Sequence, residues 1–268
     1  MSYKYLYHYT NFDTLTKIIS NKTFRFTTLL HVDDNLESDL KEYSNLATFK
    51  FVSCWTDKEE EDINFWRTYT GNIDSGIRIK MKANPFVYES LKGYIPRNNG
   101  NFNFNIIDEK RVKGTIKILD KYNMPIIESY PQLIPVTYTD NKLLLDEKNI
   151  MTTDNHSNSY YETKYIGWFK NRFWEQQKEV RYIISIGYRL EDLNILTNID
   201  FAQKDDFIKK QNLPNDLTFI DLGVSDSAID SMEILLSPTF ALEKELYLFL
   251  KSENLNIPIN KSLIPTKW

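Results

Sequence analysis

Alternating apolar and polar positions predict short β-strands along most of the chain. Ile77, Ile79 and Met81 alternate with polar residues over 76–82, which is the period-two pattern of a strand with one buried face. Aromatic and β-branched residues predict further strands at 3–8, 24–27, 48–55, 136–139, 179–186, 217–222 and 232–236. The least legible stretch is 94–132, where we predict a loop at 97–105 and a helix at 113–122.

Apolar residues spaced three and four apart predict helices between these strands. One begins after Asn11 or Asp13, either of which can cap it, and ends near Ser20. The longest predicted helix covers 157–177 and carries an aromatic stripe of Tyr161, Tyr165, Trp168, Phe169 and Phe173. Others are predicted at 38–47, 225–231, 240–252 and after the acidic run 57–62, whereas 200–216 is charged and loosely patterned.

The order of these elements predicts an α+β fold. The strands are short and the helices fall between them irregularly, unlike the regular alternation of a doubly wound sheet. The chain has no internal repeat and no linker rich in Pro, Gly or Ser, so a single domain over 1–268 is the simplest organisation.

Composition excludes several nucleotide-binding and hydrolase motifs. The chain has only 8 glycines but is 14% aromatic, and neither G-x-G-x-x-G nor G-x-x-x-x-G-K-[ST] is present. The G-x-S-x-G elbow of many serine hydrolases is also missing. A bound nucleotide would therefore be held by aromatic faces and polar side chains rather than by a glycine-rich loop.

Charge and cysteine content limit which binding partners and which cellular compartment we expect. The net charge of −4 argues against a broad basic face for duplex DNA, and no apolar run is long enough to cross a bilayer. The first ten residues show no secretory leader, so we expect a cytoplasmic protein without a membrane partner. The single cysteine, Cys54, excludes an intrachain disulfide and a cysteine-rich zinc site, and its apolar strand favours a structural role.

The first strand carries the most suggestive histidine. His8 and Thr10 are two residues apart before the first helix, so an imidazole and a hydroxyl lie side by side, as suits the hydroxyls of a ribose. The alternative is that His8 is a half-buried strand residue bonded to the backbone. His31 and His156 are predicted as surface residues, and the three histidines are too dispersed to predict a metal site.

Two glutamates bracket the start of the strand at 179–186. Glu175 or Glu179, beside a cluster of aromatic residues, can be partly desolvated and directed into a cleft. Arg181, on the same strand face as Glu179, can keep it ionised or bind a phosphate. The alternative is an exposed Glu–Arg pair of little energetic consequence.

Other residues have both a functional and a structural interpretation. Trp66 and Tyr69 lie one helical turn apart and can stack on a nicotinamide or purine ring, or can anchor an amphipathic helix, which is favoured for Trp66. The basic residues over 164–181 form either a local basic groove or a solvated face. A nuclease would need a metal-binding carboxylate cluster, and the compact candidate, formed by Asp33, Asp34 and Glu37, is interpreted as a polar turn.

Nine short motifs follow one another along nearly the whole chain. They are L-Y-H-Y-T (6–10), F-R-F-T-T (24–28), D-D-N-L-E (33–37), V-S-C-W (52–55), W-R-T-Y (66–69), G-I-R-I (76–79), V-T-Y (136–138), K-N-R-F-W-E-Q-Q-K-E-V-R (170–181) and D-S-M-E-I-L-L-S-P (230–238). Together they resemble the domain of unknown function 2971 family of bacteria and phages. The spacing W-E-x-x-x-E-x-R over 174–181 departs from the family's more common W-x-x-E-x-E-x-R, which leaves open whether Glu175 or Glu179 is the key acid.

That family is similar to ADP-ribosyltransferases, which implies mixed sheets with flanking helices and NAD as co-substrate, without a metal. In this resemblance His8, Tyr9 and Thr10 hold the ribose and amide, Tyr69 stacks on nicotinamide, and Glu179 is the late catalytic glutamate, with Arg181 beside it. His8 is also implied as catalytic.

The resemblance implies transfer of ADP-ribose to a macromolecule, either a nucleic acid or a protein, in a toxin or phage-defence role. Two alternatives remain open at this stage. One is an NAD glycohydrolase, in which water is the acceptor, and the other is a non-catalytic module that binds a nucleotide or nucleic acid. Neither the acceptor nor the oligomeric state follows from the residues.

Overall fold

A computed structural model describes most of the chain. The residues outside the description are 1–2, 33, 35–36, 38–42, 88–89, 98–99, 108–123, 125–130, 146–150, 154–158, 162, 189–191, 193–194, 196–198 and 266–268. The predicted helix at 113–122, the first half of the predicted helix at 38–47, Asp33 and His156 therefore lie outside the described residues.

The described residues contain fifteen β-strands. They are β1 (Tyr5–Asn11), β2 (Thr23–Thr28), β3 (Lys50–Thr56), β4 (Gly76–Lys82), β5 (Ser90–Arg97), β6 (Gly100–Ile107), β7 (Gln132–Pro135), β8 (Thr137–Thr139), β9 (Met151–Thr153), β10 (Ser159–Tyr161), β11 (Phe169–Asn171), β12 (Glu179–Ser185), β13 (Phe219–Gly223), β14 (Glu233–Leu236) and β15 (Ile259–Lys261).

Seven α-helices connect or flank these strands in the described part of the chain. They are α1 (Phe12–Asn21), α2 (Asn45–Thr48), α3 (Ile63–Tyr69), α4 (Lys142–Leu145), α5 (Phe201–Lys210), α6 (Asp226–Asp230) and α7 (Glu243–Ser252). Short 3₁₀ turns cover Leu29–His31, Ile73–Ser75, Thr163–Tyr165 and Arg172–Gln177. The predicted α+β class is confirmed, and none of the described helices is both long and apolar enough to cross a membrane.

Nine of these strands form one sheet that branches at β3. The main path runs β13-β2-β3-β1-β4-β14-β15, and β12, followed by β7, is added beside β3. One edge of β3 pairs with β12 along its whole length. Its other edge meets β2 at Phe51 and Val52 and meets β1 at Thr56. Because β1 and β2 meet opposite ends of β3, an opening is left between them.

The helix α1 joins β1 to β2 across this opening, and its sequence explains both of its ends. The Asn11 side chain accepts a hydrogen bond from the Thr14 amide, which caps the first turn as predicted. Leu15, Ile18 and Ile19 are buried, and each contributes roughly 2 kcal/mol of hydrophobic stabilisation. Lys22 ends the helix in the left-handed conformation, with φ of 51°.

The two faces of β12 bury different kinds of side chain. Val180, Tyr182 and Ile184 pack into the main hydrophobic core, together with Trp55 of β3. On the opposite face Ile183 belongs to a second apolar cluster, and Arg181 is fully buried beside it. The period-two pattern therefore places two charged residues, Glu179 and Arg181, on one buried face.

Two predictions between 94 and 177 are wrong. The predicted loop at 97–105 overlaps an antiparallel hairpin of β5 and β6, and its N-F-N-F-N alternation is a strand pattern. The predicted helix at 157–177 is instead a series of short strands and 3₁₀ turns, interrupted at Gly167, whose φ of +84° is incompatible with a right-handed helix. Phe173, assigned to its apolar stripe, is 89% exposed.

The charged stretch 200–216 contains a helix that its loose apolar pattern did not predict. Asp200 accepts a hydrogen bond from the Gln203 amide, and the Gln203 side chain accepts one from the Asp200 amide. This reciprocal capping box marks the start of α5. Its sequence signal, D-x-x-Q, is local and short.

Candidate functional site

A cleft of about 330 Å³ lies at the opening between β1 and β2. This volume is near the lower end of the range for small-molecule sites. The cleft has an aromatic wall formed by Tyr9, Phe24, Trp55, Phe65 and Tyr69. Its polar and charged lining includes His8, Arg25, Cys54, Lys170, Gln177, Glu179 and Arg181.

The strand β3 brings the two sides of the cleft together. Thr56 is paired with Tyr7 of β1 on one edge and with Glu179 of β12 on the other. Two strand spacings therefore separate the backbones of Tyr7 and Glu179, which is about 10 Å. Cys54, on the same face of β3 as Thr56, is paired with Arg181, and its carbonyl accepts a hydrogen bond from His8.

His8 lines the cleft as a neutral imidazole. Its Nδ1 lies 2.9 Å from the Cys54 carbonyl oxygen, and because a carbonyl only accepts, Nδ1 carries the proton. Burial lowers the pKa of His8, which outweighs the opposite effect of this hydrogen bond. The rings of Phe24 and Trp55 flank the imidazole at 5.6 and 5.0 Å between centroids. His8 is thus a half-buried strand residue bonded to the backbone, as its structural interpretation predicted. With the proton on Nδ1 of a neutral ring, Nε2 can still accept a hydrogen bond.

Tyr69 lines the cleft from the end of α3. Its ring meets Phe65 edge to face at 5.6 Å between centroids, and its hydroxyl accepts a hydrogen bond from Gln177 Nε2. Tyr9 is another lining residue, and its ring packs edge to face on Trp66 at 4.8 Å. Trp66 itself is fully buried and anchors the helix, as its structural interpretation predicted.

Glu179 belongs to a closed ring of four buried charges, which we call the ion ring. Its members alternate in sign around the ring, in the order Glu179, Arg181, Glu37 and Lys170. Arg181 Nε donates to Glu179 Oε1, and Lys170 Nζ lies 3.0 Å from Glu179 Oε2. Arg181 also donates to both carboxylate oxygens of Glu37. The formal charges of the four groups sum to zero.

The ion ring keeps Glu179 ionised. Burial alone would raise the pKa of Glu179, but the charges of Arg181 and Lys170 outweigh it and lower that pKa to about 2. Burial raises the pKa of Glu37 in spite of Arg181, and burial together with the Glu179 charge raises the pKa of the Cys54 thiol. Cys54 is therefore a protonated thiol and not an activated nucleophile, as its structural interpretation predicted.

Four of the five residues predicted to bind the cofactor line the cleft, and one does not. His8, Tyr9, Tyr69 and Arg181 line it. Thr10 is buried in β1 opposite Ile77 of β4 and is not among the lining residues, so its contact with a ribose stays a prediction.

The two candidate acids occupy different environments. Glu179 is buried at the first residue of β12 and lines the cleft. Glu175 is half exposed, and its carboxylate lies 4.0 Å from Lys178 Nζ. Lys178 adopts a left-handed φ of 44° between them, which ends the 3₁₀ turn and begins the strand. Geometry therefore favours Glu179 as the acid of the cleft.

The basic residues over 164–181 do not form one groove. Lys170 and Arg181 are buried in the ion ring, whereas the Arg172 side chain is 60% exposed and paired with Asp140. The exposed Glu–Arg alternative for Glu179 and Arg181 is also wrong, because both side chains are buried. Among the histidines, His31 is exposed, as predicted, and lies at the edge of the cleft lining.

The role of Glu37 is not predictable from the sequence, in which its segment has the pattern of a polar turn. In the structure Glu37 and Asp34 are both about 5% exposed, and Glu37 holds Arg181 from 144 positions away. No group of three or more potential metal ligands occurs among the described residues. A buried arginine on a strand does require a carboxylate partner, but the sequence does not say which.

Comparison of the chain with protein-family models, with curated proteins and with solved structures found no match. The resemblance to the domain of unknown function 2971 family thus stays a prediction from the motifs.

Proposed function

We propose that the cleft binds NAD and that the protein is an ADP-ribosyltransferase-like enzyme, with the acceptor a nucleic acid or a protein. The observation that supports this proposal is the convergence of His8, Tyr69 and Glu179 on one cleft. These residues come from three distant parts of the chain, and the sequence resemblance assigns all three to NAD. The aromatic wall also offers ring faces for stacking on nicotinamide or adenine.

Each of the three residues has a distinct part in the proposed reaction. The neutral His8 accepts a hydrogen bond from a ribose hydroxyl through Nε2, and the Tyr69 ring stacks on nicotinamide. The bond between the nicotinamide nitrogen and ribose C1′ breaks, and its electron pair leaves with nicotinamide. The ionised Glu179 stabilises the positive charge that develops on the ribose. The acceptor then bonds to C1′ and releases its proton to solvent.

Nicotinamide release from NAD tests this proposal, with matched amide substitutions of the two candidate acids. We expect the purified wild type to release nicotinamide and Glu179→Gln to be slower by on the order of 100-fold or more, because the charge that stabilises the transition state is lost. Glu175→Gln makes the same change at an exposed position and should stay within about 2-fold of the wild type. Circular dichroism of both variants controls for folding.

The fate of the ADP-ribose separates transfer from hydrolysis. Label from NAD that becomes attached to added nucleic acid or protein supports transferase activity, whereas free ADP-ribose as the sole product identifies a glycohydrolase. Binding of NAD without nicotinamide release would identify a non-catalytic module. A wild type that neither binds NAD nor releases nicotinamide would overturn the proposal altogether.

A further inference from the structure

Glu37 does not line the cleft, but two hydrogen bonds fix it to Arg181, which does. Arg181 Nη1 and Nη2 donate to the two carboxylate oxygens of Glu37, and both side chains have no exposed surface. Arg181 Nη1 also donates to the Gly167 carbonyl at 3.1 Å. Because the guanidinium group is a rigid planar fork, these contacts fix the orientation of its plane.

The remaining nitrogen of that fork is directed at the cleft. With both terminal nitrogens held, Arg181 Nε donates to Glu179 Oε1. Lys170 reaches the other oxygen, Oε2, at 3.0 Å and lies 3.5 Å from Glu37. Glu179 is thus held by two cations, and both of those cations also contact Glu37.

The charge balance around Glu179 also depends on Glu37. Without it, one buried carboxylate would face two buried cations, and the group would carry a net charge of +1. Both cations would then be attracted to Glu179 alone, and their full positive charge would offset more of its field. With Glu37 present, the cations are shared between two carboxylates. Each Glu179 oxygen then has one cation partner and keeps a further lone pair for a ligand hydroxyl.

We propose that Glu37 is a positioning residue of the cleft, which acts through Arg181 and Lys170 to orient Glu179 and to keep its charge available to the substrate. The kinetic part of this inference rests on the proposed function. Its structural part, the hold of Glu37 on Arg181, can be tested without substrate.

The kinetic test compares Glu37→Gln with Asp34→Asn, a buried carboxylate-to-amide change in the same segment. Asp34 accepts from the Asn171 amide and is outside the ion ring. We expect kcat for nicotinamide release to fall by on the order of 10- to 100-fold in Glu37→Gln, since a misplaced catalytic group costs this much. KM for NAD should change by less than about 3-fold, and Asp34→Asn should retain the wild-type kcat.

Two further variants separate positioning from a general loss of structure. Glu37→Asp restores a carboxylate and should recover part of kcat. The double variant Glu37→Gln/Glu179→Gln should be no slower than Glu179→Gln alone, because Glu37 acts through Glu179. The inference would be overturned if the two reductions in kcat multiplied in the double variant. It would also be overturned if Glu37→Gln left kcat unchanged.

The substrate-free test follows the Arg181 Nε–H signal by ¹⁵N NMR, assigned by its disappearance in Arg181→Lys. We expect slow exchange with water in the wild type and in Asp34→Asn, and exchange at least about 10-fold faster in Glu37→Gln, where the bidentate partner is lost. If Glu37→Gln does not fold, Glu37→Asp replaces it with a smaller expected increase in exchange, because its carboxylate is one carbon further from Nη1 and Nη2. Unchanged exchange overturns the inference. If the wild type releases no nicotinamide, the proposed function fails, and this signal alone decides whether Glu37 holds Arg181.

Discussion

Two arginines that line the cleft each pair bidentately with a carboxylate, but in opposite environments. Arg181 binds Glu37 with both side chains fully buried. Arg25 binds Asp221 at 2.9 and 3.0 Å, with side chains that are 55% and 30% exposed, and stacks on the Phe219 ring. Arg181 uses Nη1 and Nη2 and Arg25 uses Nε and Nη2, but both pairs have two hydrogen bonds, so their main difference is solvent access.

This difference determines what each pair contributes. Water solvates Arg25 and Asp221 in the absence of the other, so their pairing adds at most about 1 kcal/mol. Buried Arg181 cannot be solvated by water in this way. Its burial is tolerated because Glu37, Glu179 and the Gly167 carbonyl accept its hydrogen bonds. The cost of burying the ion ring suggests a function for it beyond stability, namely the control of Glu179.

The largest expected effect is the loss of stability on breaking the buried pair. Arg181→Met leaves Glu37 and Glu179 buried with only Lys170 as a cation. We expect the free energy of unfolding to fall by about 3–5 kcal/mol, the usual cost of an uncompensated buried charge. Chemical denaturation followed by circular dichroism measures this loss.

Arg25→Met is the matched control for that substitution. It removes the exposed pair and keeps an apolar side chain against Phe219, so the free energy of unfolding should change by less than about 1 kcal/mol. Equal losses in the two variants would contradict the distinction between the pairs.

Lowering the pH is expected to reduce the free energy of unfolding by a somewhat smaller amount, because Glu179 is the member of the ion ring with the lowered pKa. That pKa is about 2 in the folded chain and ordinarily 4.5. The unfolded chain therefore binds the proton more tightly, so stabilisation by ionised Glu179 is complete above pH 4.5 and is lost as the pH falls toward 2. The shift corresponds to about 3 kcal/mol.

Glu179→Gln removes this pH dependence and so isolates it. The difference in the free energy of unfolding between wild type and variant should be largest near neutral pH and should shrink by about 3 kcal/mol toward pH 2. The raised pKa of Glu37 acts in the opposite direction, stabilising the fold as the pH falls, so the comparison with Glu179→Gln is needed to separate the two acids. A difference that does not change with pH would show that Glu179 is not held by the ring.

The parts of the fold that were predicted correctly have local signals. The strand β4 follows from the alternation of Ile77, Ile79 and Met81, and the helix α1 follows from its Asn11 cap and apolar face. The predicted helix at 157–177 failed because spacing alone cannot show that Gly167 turns the chain, or that Phe173 faces solvent. Aromatic spacing in a segment of short turns can imitate a helical stripe.

The candidate site was predictable in part for a similar reason. The resemblance predicted His8, Tyr69 and Glu179 as site residues, and β3 brings the strands of two of them together. The choice between Glu175 and Glu179 needed the left-handed Lys178, and the role of Glu37 needed a contact across 144 positions. Sheet pairing and burial supply that information, whereas spacing along the chain does not.

The most direct test of NAD binding at the cleft is a crystal structure of Glu179→Gln, which should turn over slowly, soaked with NAD. We predict the nicotinamide ring against the Tyr69 ring, with ribose hydroxyls at His8 Nε2 and at the side chain of residue 179. NAD bound elsewhere on the protein would contradict the assignment. So would a cleft that contains no NAD at a saturating concentration, provided that the ion ring is intact apart from the substitution.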